Sequence, residues 1–191
     1  MALNDQTKDK IHSLFAEILE ILDAMNYECN EYDALDINEE ALRFVEWLKK
    51  KTELRYGSVI EEGKYEETKD VLDFPVIYSG IYWAYLGRNI GDEMNKHRPV
   101  LVLRAAKKSN VCTVVPLTKE RLKDDFWYHV DLEEYNNTAV VEQLRVISKR
   151  RLEKPMRING KIATASKEDL KNIYEQIKNY YATPKQNPKK K

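Results

Sequence analysis

The chain has 191 residues, 42% of them hydrophobic, with 34% charged residues whose formal sum is zero. That is enough apolar material for one ordinary domain or a small domain with an appendage, and it excludes an intrinsically disordered chain. Two cysteines, Cys29 and Cys112, with no paired Cys/His spacing argue against a disulfide framework or structural zinc. No apolar run approaches the roughly 20 residues of a membrane helix, and "MALNDQTKDK" lacks the apolar region of a signal peptide. These features predict a cytoplasmic protein with no membrane partner and no cofactor.

In chain order, residues 6–27 predict a helix, because Leu14, Phe15, Ile18, Leu19, Leu22 and Met25 recur at three- and four-residue steps. A second helix is expected from Glu39 to about Leu54, with Asn38 as its N-cap, Ile37 stapled onto Leu42, and a stripe of Ala41, Phe44, Val45 and Leu48. Residues 57–75 read as a charged linker. Beyond Pro75 the pattern changes to period-two and continuous apolar runs rich in β-branched and aromatic residues. Strands are predicted at about 76–86, 99–105, 111–117, 126–132, 138–147 and 155–163. Ser166-Lys167-Glu168-Asp169 reads as a capping box opening a last helix, whose apolar face is Leu170, Ile173, Ile177 and Tyr181. The expected organisation is a helical acidic segment at 1–56, a linker at 57–75, a β-rich domain at 76–182 and a disordered basic tail at 183–191.

Charge divides along the same line. Between residues 11 and 46, ten acidic residues stand against Arg43 alone. Between 145 and 161, seven bases stand against Glu153 alone, and residues 96–110 add five bases and no acid. A basic β-rich domain is a candidate polyanion binder, although a solvated charged face explains any one run equally well.

Three segments of the β-rich region carry a resemblance. "IYWAYLGRNIGDEMNKHRPVLVLR", "TVVPLT" and "VVEQLRVISKRRL" occur in the order and spacing that resemble the MazF/PemK family of toxin endoribonucleases, over roughly residues 78–181. The resemblance implies an α+β fold: a small SH3-like β-barrel with a C-terminal helix, here preceded by the helical N-terminal segment. It implies a homodimer held in check by an antitoxin protein. It also implies metal-independent cleavage of single-stranded RNA, in which the ribose 2′-OH attacks phosphorus and leaves a 2′,3′-cyclic phosphate.

Carried onto this sequence, the resemblance implies Arg98 and Thr118 as the key catalytic pair, with Glu142 of "EQLR" a possible base. Glu142 could equally hold Arg145 or a backbone amide. Gly91, Asp92, Glu93 and Lys96 form the loop that borders the RNA groove in the family, and Gln143 and Arg145 are candidates for RNA contact. His97 neighbours Arg98 and is an RNA-contact candidate too, although a solvated loop histidine accounts for it as well. Tyr82, Trp83 and Tyr85 are stacking candidates, but strand alternation puts Tyr82 on the opposite face from the other two, so at least one belongs to the core. His129 reads as strand packing.

Independently of the resemblance, cleavage of a phosphodiester needs a fixed cation and hydrogen-bond donors at the phosphorane oxygens. Arg98 can make two parallel bonds to a phosphate, and Pro99 limits the backbone beneath it. The polar run before Arg98 is expected to move over a substrate.

The sequence also departs from the family pattern. Tyr78, Ser79 and Gly80 stand at an Arg-Gly-Asp start, and Lys96-His97 replaces a glycine pair. A protein-binding toxin of the same fold, directed at a topoisomerase, and a non-cleaving RNA-binding module are the alternative readings.

Overall fold

The computed structural model describes residues 3–26, 31–60, 64–67 and 72–182. The chain divides into two compact units, Met1–Lys51 and Thr52–Lys191.

The first unit holds helix α1, Asp5–Asn26, and most of helix α2, Glu31–Tyr56. Asn4 caps α1: its side-chain oxygen accepts from the Thr7 amide at 2.8 Å. Leu14, Phe15 and Leu19 of the expected stripe are exposed, at 46%, 46% and 58%. Helix α2 starts at Glu31, so Asn38 lies inside it and is not its N-cap. The acidic run before Asn38 contains no Gly or Pro to break a helix, which lets the helix extend past the local cap signal. The side chains of Met25 and Ile37, and all of Cys29, lie outside the described residues, as does the tail 183–191. No described helix is long and apolar enough to cross a membrane.

The second unit opens with a two-stranded hairpin, β1 (Gly57–Val59) against β2 (Tyr65–Glu67), within the span read as a linker. The main sheet follows: β3 (Ile81–Gly87), β4 (Lys96–Arg104), β5 (Val111–Thr118), β6 (His129–Leu132), β7 (Asn137–Val140), β8 (Arg145–Ser148) and β9 (Leu152–Pro155). Its order is β6-β7-β5-β4-β3-β9, with β8 paired to β5. Short strands β10 (Arg157–Ile158) and β11 (Lys161–Ile162) form a hairpin, and helix α3 spans Lys167–Ile177.

The pairings do not close into a barrel, since β6 and β9 remain the two ends of the path. The physical reason lies in β5. Its residues Val114 and Val115 pair with β4, but from Leu117 onward it pairs with β7. Changing partners part-way bends the sheet into two sections instead of sealing its edges.

The continuous apolar runs have a direct cause, because the central strands are buried on both faces. One cluster joins Ile81, Leu101, Val115 and Leu117 to Leu170 and Ile173 of α3. The other joins Tyr82, Val100, Val102, Val114 and Ile147, and is covered in part by Leu72, Phe74 and Val76. Helix α3 begins as expected: Ser166 Oγ accepts from the Asp169 amide and Asp169 accepts from the Ser166 amide, both at 3.0 Å.

Two expected strands are interrupted. The span 138–147 contains a 3-10 turn at Val141–Gln143, and 155–163 is broken at Asn159-Gly160, both with positive φ. The altered start has its own constraint. A Cβ on Gly80 would come within 2.7 Å of the Tyr82 ring, so the glycine is required for packing.

Candidate active site

Strand β4 carries Arg98 at its mouth. Its ladder with β5 runs through Val102–Val114 and Leu101–Val115 to Val100–Pro116. Arg98 lies two residues before Val100 and Thr118 two residues after Pro116, so alternation turns both toward the face of the second cluster just past the end of this ladder. Two prolines, Pro99 and Pro116, sit at this point. Neither offers an N–H to the ladder, and beyond them β5 has turned to β7, with Thr118 paired to Thr138. The sheet therefore opens where Arg98 and Thr118 stand.

The Arg98 guanidinium is half-buried and held from one side. Nε donates to the Asn95 carbonyl at 2.6 Å and Nη1 contacts the Met94 sulfur at 3.4 Å. Neither Nη2 nor the second Nη1 hydrogen has a protein partner among the described residues. An end-on edge with parallel donors is thus left for an anion. Burial pulls the Arg98 pKa below its usual value; the Glu120 carboxylate opposes the shift, and the Arg145 cation adds to it. Thr118 is buried at 5% exposure. Its Oγ1 accepts from the Glu120 amide at 3.2 Å, so the hydroxyl proton points elsewhere and can be donated.

The "EQLR" segment supports this mount from below. Gln143 Oε1 accepts from the Met94 amide at 3.2 Å and from Arg145 Nη2 at 2.7 Å. Arg145 Nη1 donates to the Met94 carbonyl at 3.1 Å, where Asn89 Nδ2 also donates at 2.8 Å. Gln143 Nε2 reaches the Asp92 carbonyl at 3.4 Å. The polar run before Arg98, expected to move, is tied down at Asp92 and Met94. Every nitrogen of the Arg145 guanidinium has a partner, the third being the Gln143 carbonyl at 3.3 Å from Nε. Burial is also the main reason the Arg145 pKa is lowered, with the nearby Glu93 carboxylate opposing.

Glu142 binds neither Arg145 nor an amide. Its carboxylate faces His129 Nε2 at 3.1 and 3.2 Å, while Asp124 faces His129 Nδ1 at 2.7 Å. The imidazole is 4% exposed and lies between two carboxylates. His129 is therefore the base of a polar cluster, which alternation along β6 alone does not reveal. Arg151, one of the bases of the run "SKRRL", has a role that composition does not show. Its Nη1 donates to the carbonyls of Tyr85 and Leu86 at 3.1 and 2.9 Å, and the Arg145 charge acts on it after burial.

The remaining candidates separate. Gly91 and Glu93 are exposed on the loop, and Gly91 takes a positive φ of 57°. Lys96 is exposed and left-handed at φ 68°, a conformation that costs a non-glycine residue. His97 is not a solvated loop residue. It lies in β4 opposite Tyr85, packs on Trp83 and Tyr85 with ring centroids 5.2 and 4.6 Å away, and meets Glu153 at 3.1 Å. Alternation puts these three rings on the face away from Arg98. Tyr82 is fully buried, its hydroxyl bonded to Pro75 and Ile77.

A protein-family model described as "PemK-like, MazF-like toxin of type II toxin-antitoxin system" matches residues 79–181. The chain belongs to this toxin family. The match covers all three motif segments, and the N-terminal helices lie outside it. No curated protein gives a significant match over the chain. Among solved structures, the toxin is similar to MazF (Form-I) from Deinococcus radiodurans, at 18% identity and a TM-score of 0.47, over 58% of this chain and 100% of that one. It is also similar to MazE-MazF (Form-II) from the same organism, at 19% identity and a TM-score of 0.45, over 59% and 100%. A third is Mycobacterium tuberculosis toxin MazF-mt6, at 18% identity and a TM-score of 0.41, over 55% and 98%.

Proposed function

We propose that this toxin is an endoribonuclease that cleaves single-stranded RNA without a metal ion, arrests growth, and is restrained by an antitoxin protein. The observation that carries the reading is the open Arg98 edge near the mouth of β4, with the Thr118 hydroxyl at the end of the neighbouring strand β5. A phosphate seated there receives two N–H bonds from Arg98 and one O–H bond from Thr118. These donors match the charge that grows on the phosphorane oxygens, which is where such bonds accelerate the reaction most.

The 2′-oxygen forms its bond to phosphorus as the bond to the 5′-oxygen breaks. In this reading Glu142, 22% exposed beside His129, takes the 2′-proton, and the departing 5′-oxygen takes a proton from water. The products are a 2′,3′-cyclic phosphate and a 5′-hydroxyl. Gln143 and Arg145 act on the loop, and through it on Arg98. Homodimerisation and a cytoplasmic location belong to the same reading.

The test is incubation of the purified protein with a mixed RNA pool in EDTA, followed by analysis of the new ends. Cyclic phosphate ends in EDTA are expected. Cleavage that stops in EDTA and returns with magnesium would overturn the metal-independent mechanism. RNA bound but left intact would favour a non-cleaving RNA-binding module.

A further inference from the structure

Five aromatic rings gather beside the site without being used by it. Phe126, Trp127 and Tyr128 lie in the turn before β6, and Tyr180 and Tyr181 lie in the helical turn Lys178–Ala182 after α3. Trp127 is 58% exposed, Tyr181 51%, Phe126 45% and Tyr180 40%. Such exposure of four large rings in one place is uncommon in a surface that faces only water.

The rings are also ordered against one another. Tyr128 meets Tyr180 at 4.8 Å and 63°, Tyr180 meets Tyr181 at 5.0 Å and 71°, and Trp127 meets Tyr128 at 5.3 Å and 85°. Edge-to-face contact fixes each ring and uses only one face in each pair, leaving the other faces out of the contact. The backbone beneath is pinned, with the Lys123 amide on Asp131 at 3.0 Å and the His129 amide on the Phe126 carbonyl at 2.9 Å.

The charges around the patch are mixed, with Asp125 exposed beside Phe126. Asp124 and Glu142, the acids at its base, are turned inward onto His129. The Arg121 guanidinium lies over the Phe126 ring at 5.5 Å. At the other end, the Tyr181 hydroxyl donates to the carbonyls of Val141 and Glu142 at 3.2 and 2.9 Å, the turn that leads into Gln143 and Arg145. Burial pushes the Tyr181 hydroxyl up, Tyr180 and the Glu142 carboxylate add to the shift, and the Arg145 cation opposes it. Through its hydrogen bonds to Val141 and Glu142 the patch adjoins the turn that carries Glu142.

We infer that these rings form a stacking platform for unpaired RNA bases flanking the cleaved position, with Trp127 and Tyr180 as its most open members. Every base has a π-face, so such a platform adds affinity with little sequence preference, and the Arg121 guanidinium beside Phe126 takes a phosphate between stacked bases. The inference rests on the RNA-cleaving reading, because the strand held at Arg98 is the one that continues across the rings. A surface built to hold a folded protein is the competing use of the same rings.

The test compares the full chain with the double variant Trp127→Ala/Tyr180→Ala and the ring-keeping variant Trp127→Phe/Tyr180→Phe. Binding is measured with a mixed-sequence 2′-O-methyl RNA dodecanucleotide, which cannot be cleaved, and with the matching dinucleotide. The alanine pair is expected to bind the dodecanucleotide about tenfold or more weakly and the dinucleotide unchanged, while the phenylalanine pair holds both. Equal dodecanucleotide affinity in all three proteins overturns the platform, and with RNA cleavage still present it leaves the catalytic reading standing. A ring-dependent loss of affinity in a protein that cleaves no RNA supports the platform and sinks the catalytic reading instead. A loss of dinucleotide affinity matching the dodecanucleotide loss, or a loss in the phenylalanine pair as large as in the alanine pair, overturns the stacking role.

Discussion

Arg98 and Arg145 are both half-buried arginines within reach of the same loop, and they are held in opposite ways. Arg98 stands at a strand mouth with one side anchored and one edge open. Arg145 follows a 3-10 turn and is bonded at all three nitrogens to Met94 and Gln143. The difference teaches that cationic residues in one basic cluster divide into a group presented to a ligand and a group that braces the presenter. Motif membership does not separate the two. The satisfied or open donor edge does.

The contrast breaks most visibly at Arg98. Arg98→Ala is expected to lower RNA cleavage several hundredfold or more, about 3–4 kcal/mol of transition-state stabilisation, with little change in melting temperature. Arg98→Lys should fail as well, since it keeps the charge and loses the fork. Cleavage assays paired with thermal melts check this, and undiminished cleavage by both variants removes Arg98 from the mechanism.

Next in size is Thr118→Val, expected to cost about a hundredfold in rate through the lost donor, with Thr118→Ser recovering most of it. Initial rates at saturating RNA decide the matter. Equal rates for Val and Ser variants would make the residue one of packing alone.

Arg145→Ala sharpens the comparison from the other side. It removes one of the two donors to the Met94 carbonyl and one of the two to Gln143 Oε1, so stability should fall by about 1–2 kcal/mol. Cleavage should drop roughly ten- to a hundredfold as Arg98 loses its placement. Amide exchange at Met94 should accelerate in this variant and stay unchanged in Arg98→Ala. A variant as stable as the parent with a slow Met94 amide would show that Arg145 is no brace.

The smallest effect is expected at Lys96. Lys96→Gly relieves a left-handed lysine but adds backbone freedom to the unfolded chain, leaving a net stability change within about 1 kcal/mol. If Lys96 contacts phosphate, the slope of log affinity against log salt should also fall by about one.

Much of the fold was legible because it is written in local chemistry. The run Pro99–Leu103 is apolar throughout and is buried throughout. Ser166 and Asp169 lie three residues apart and make both bonds of the capping box. Legibility failed where partners are distant. The loop before Arg98 has no apolar period and reads as mobile, yet the groups that hold it are Gln143 and Arg145, some fifty residues on. "VVEQLRVIS" is rich in β-branched residues and hides a 3-10 turn that breaks the strand. His129 alternates inward as strand packing should, but the carboxylate on its Nε2 comes from the far side of β7 in sequence. Motif order marks Arg98 and Thr118; that β5 leaves β4 after Pro116 and pairs with β7 at Thr118 follows only from the pairings.

The most direct test of this division is ¹⁵N NMR of the arginine side chains during titration with a non-cleavable 2′-O-methyl RNA. The Arg98 Nη resonances are expected to shift and slow in exchange as a phosphate occupies the open edge, while those of Arg145 stay where they are. Perturbation of Arg145 with Arg98 unmoved would contradict it.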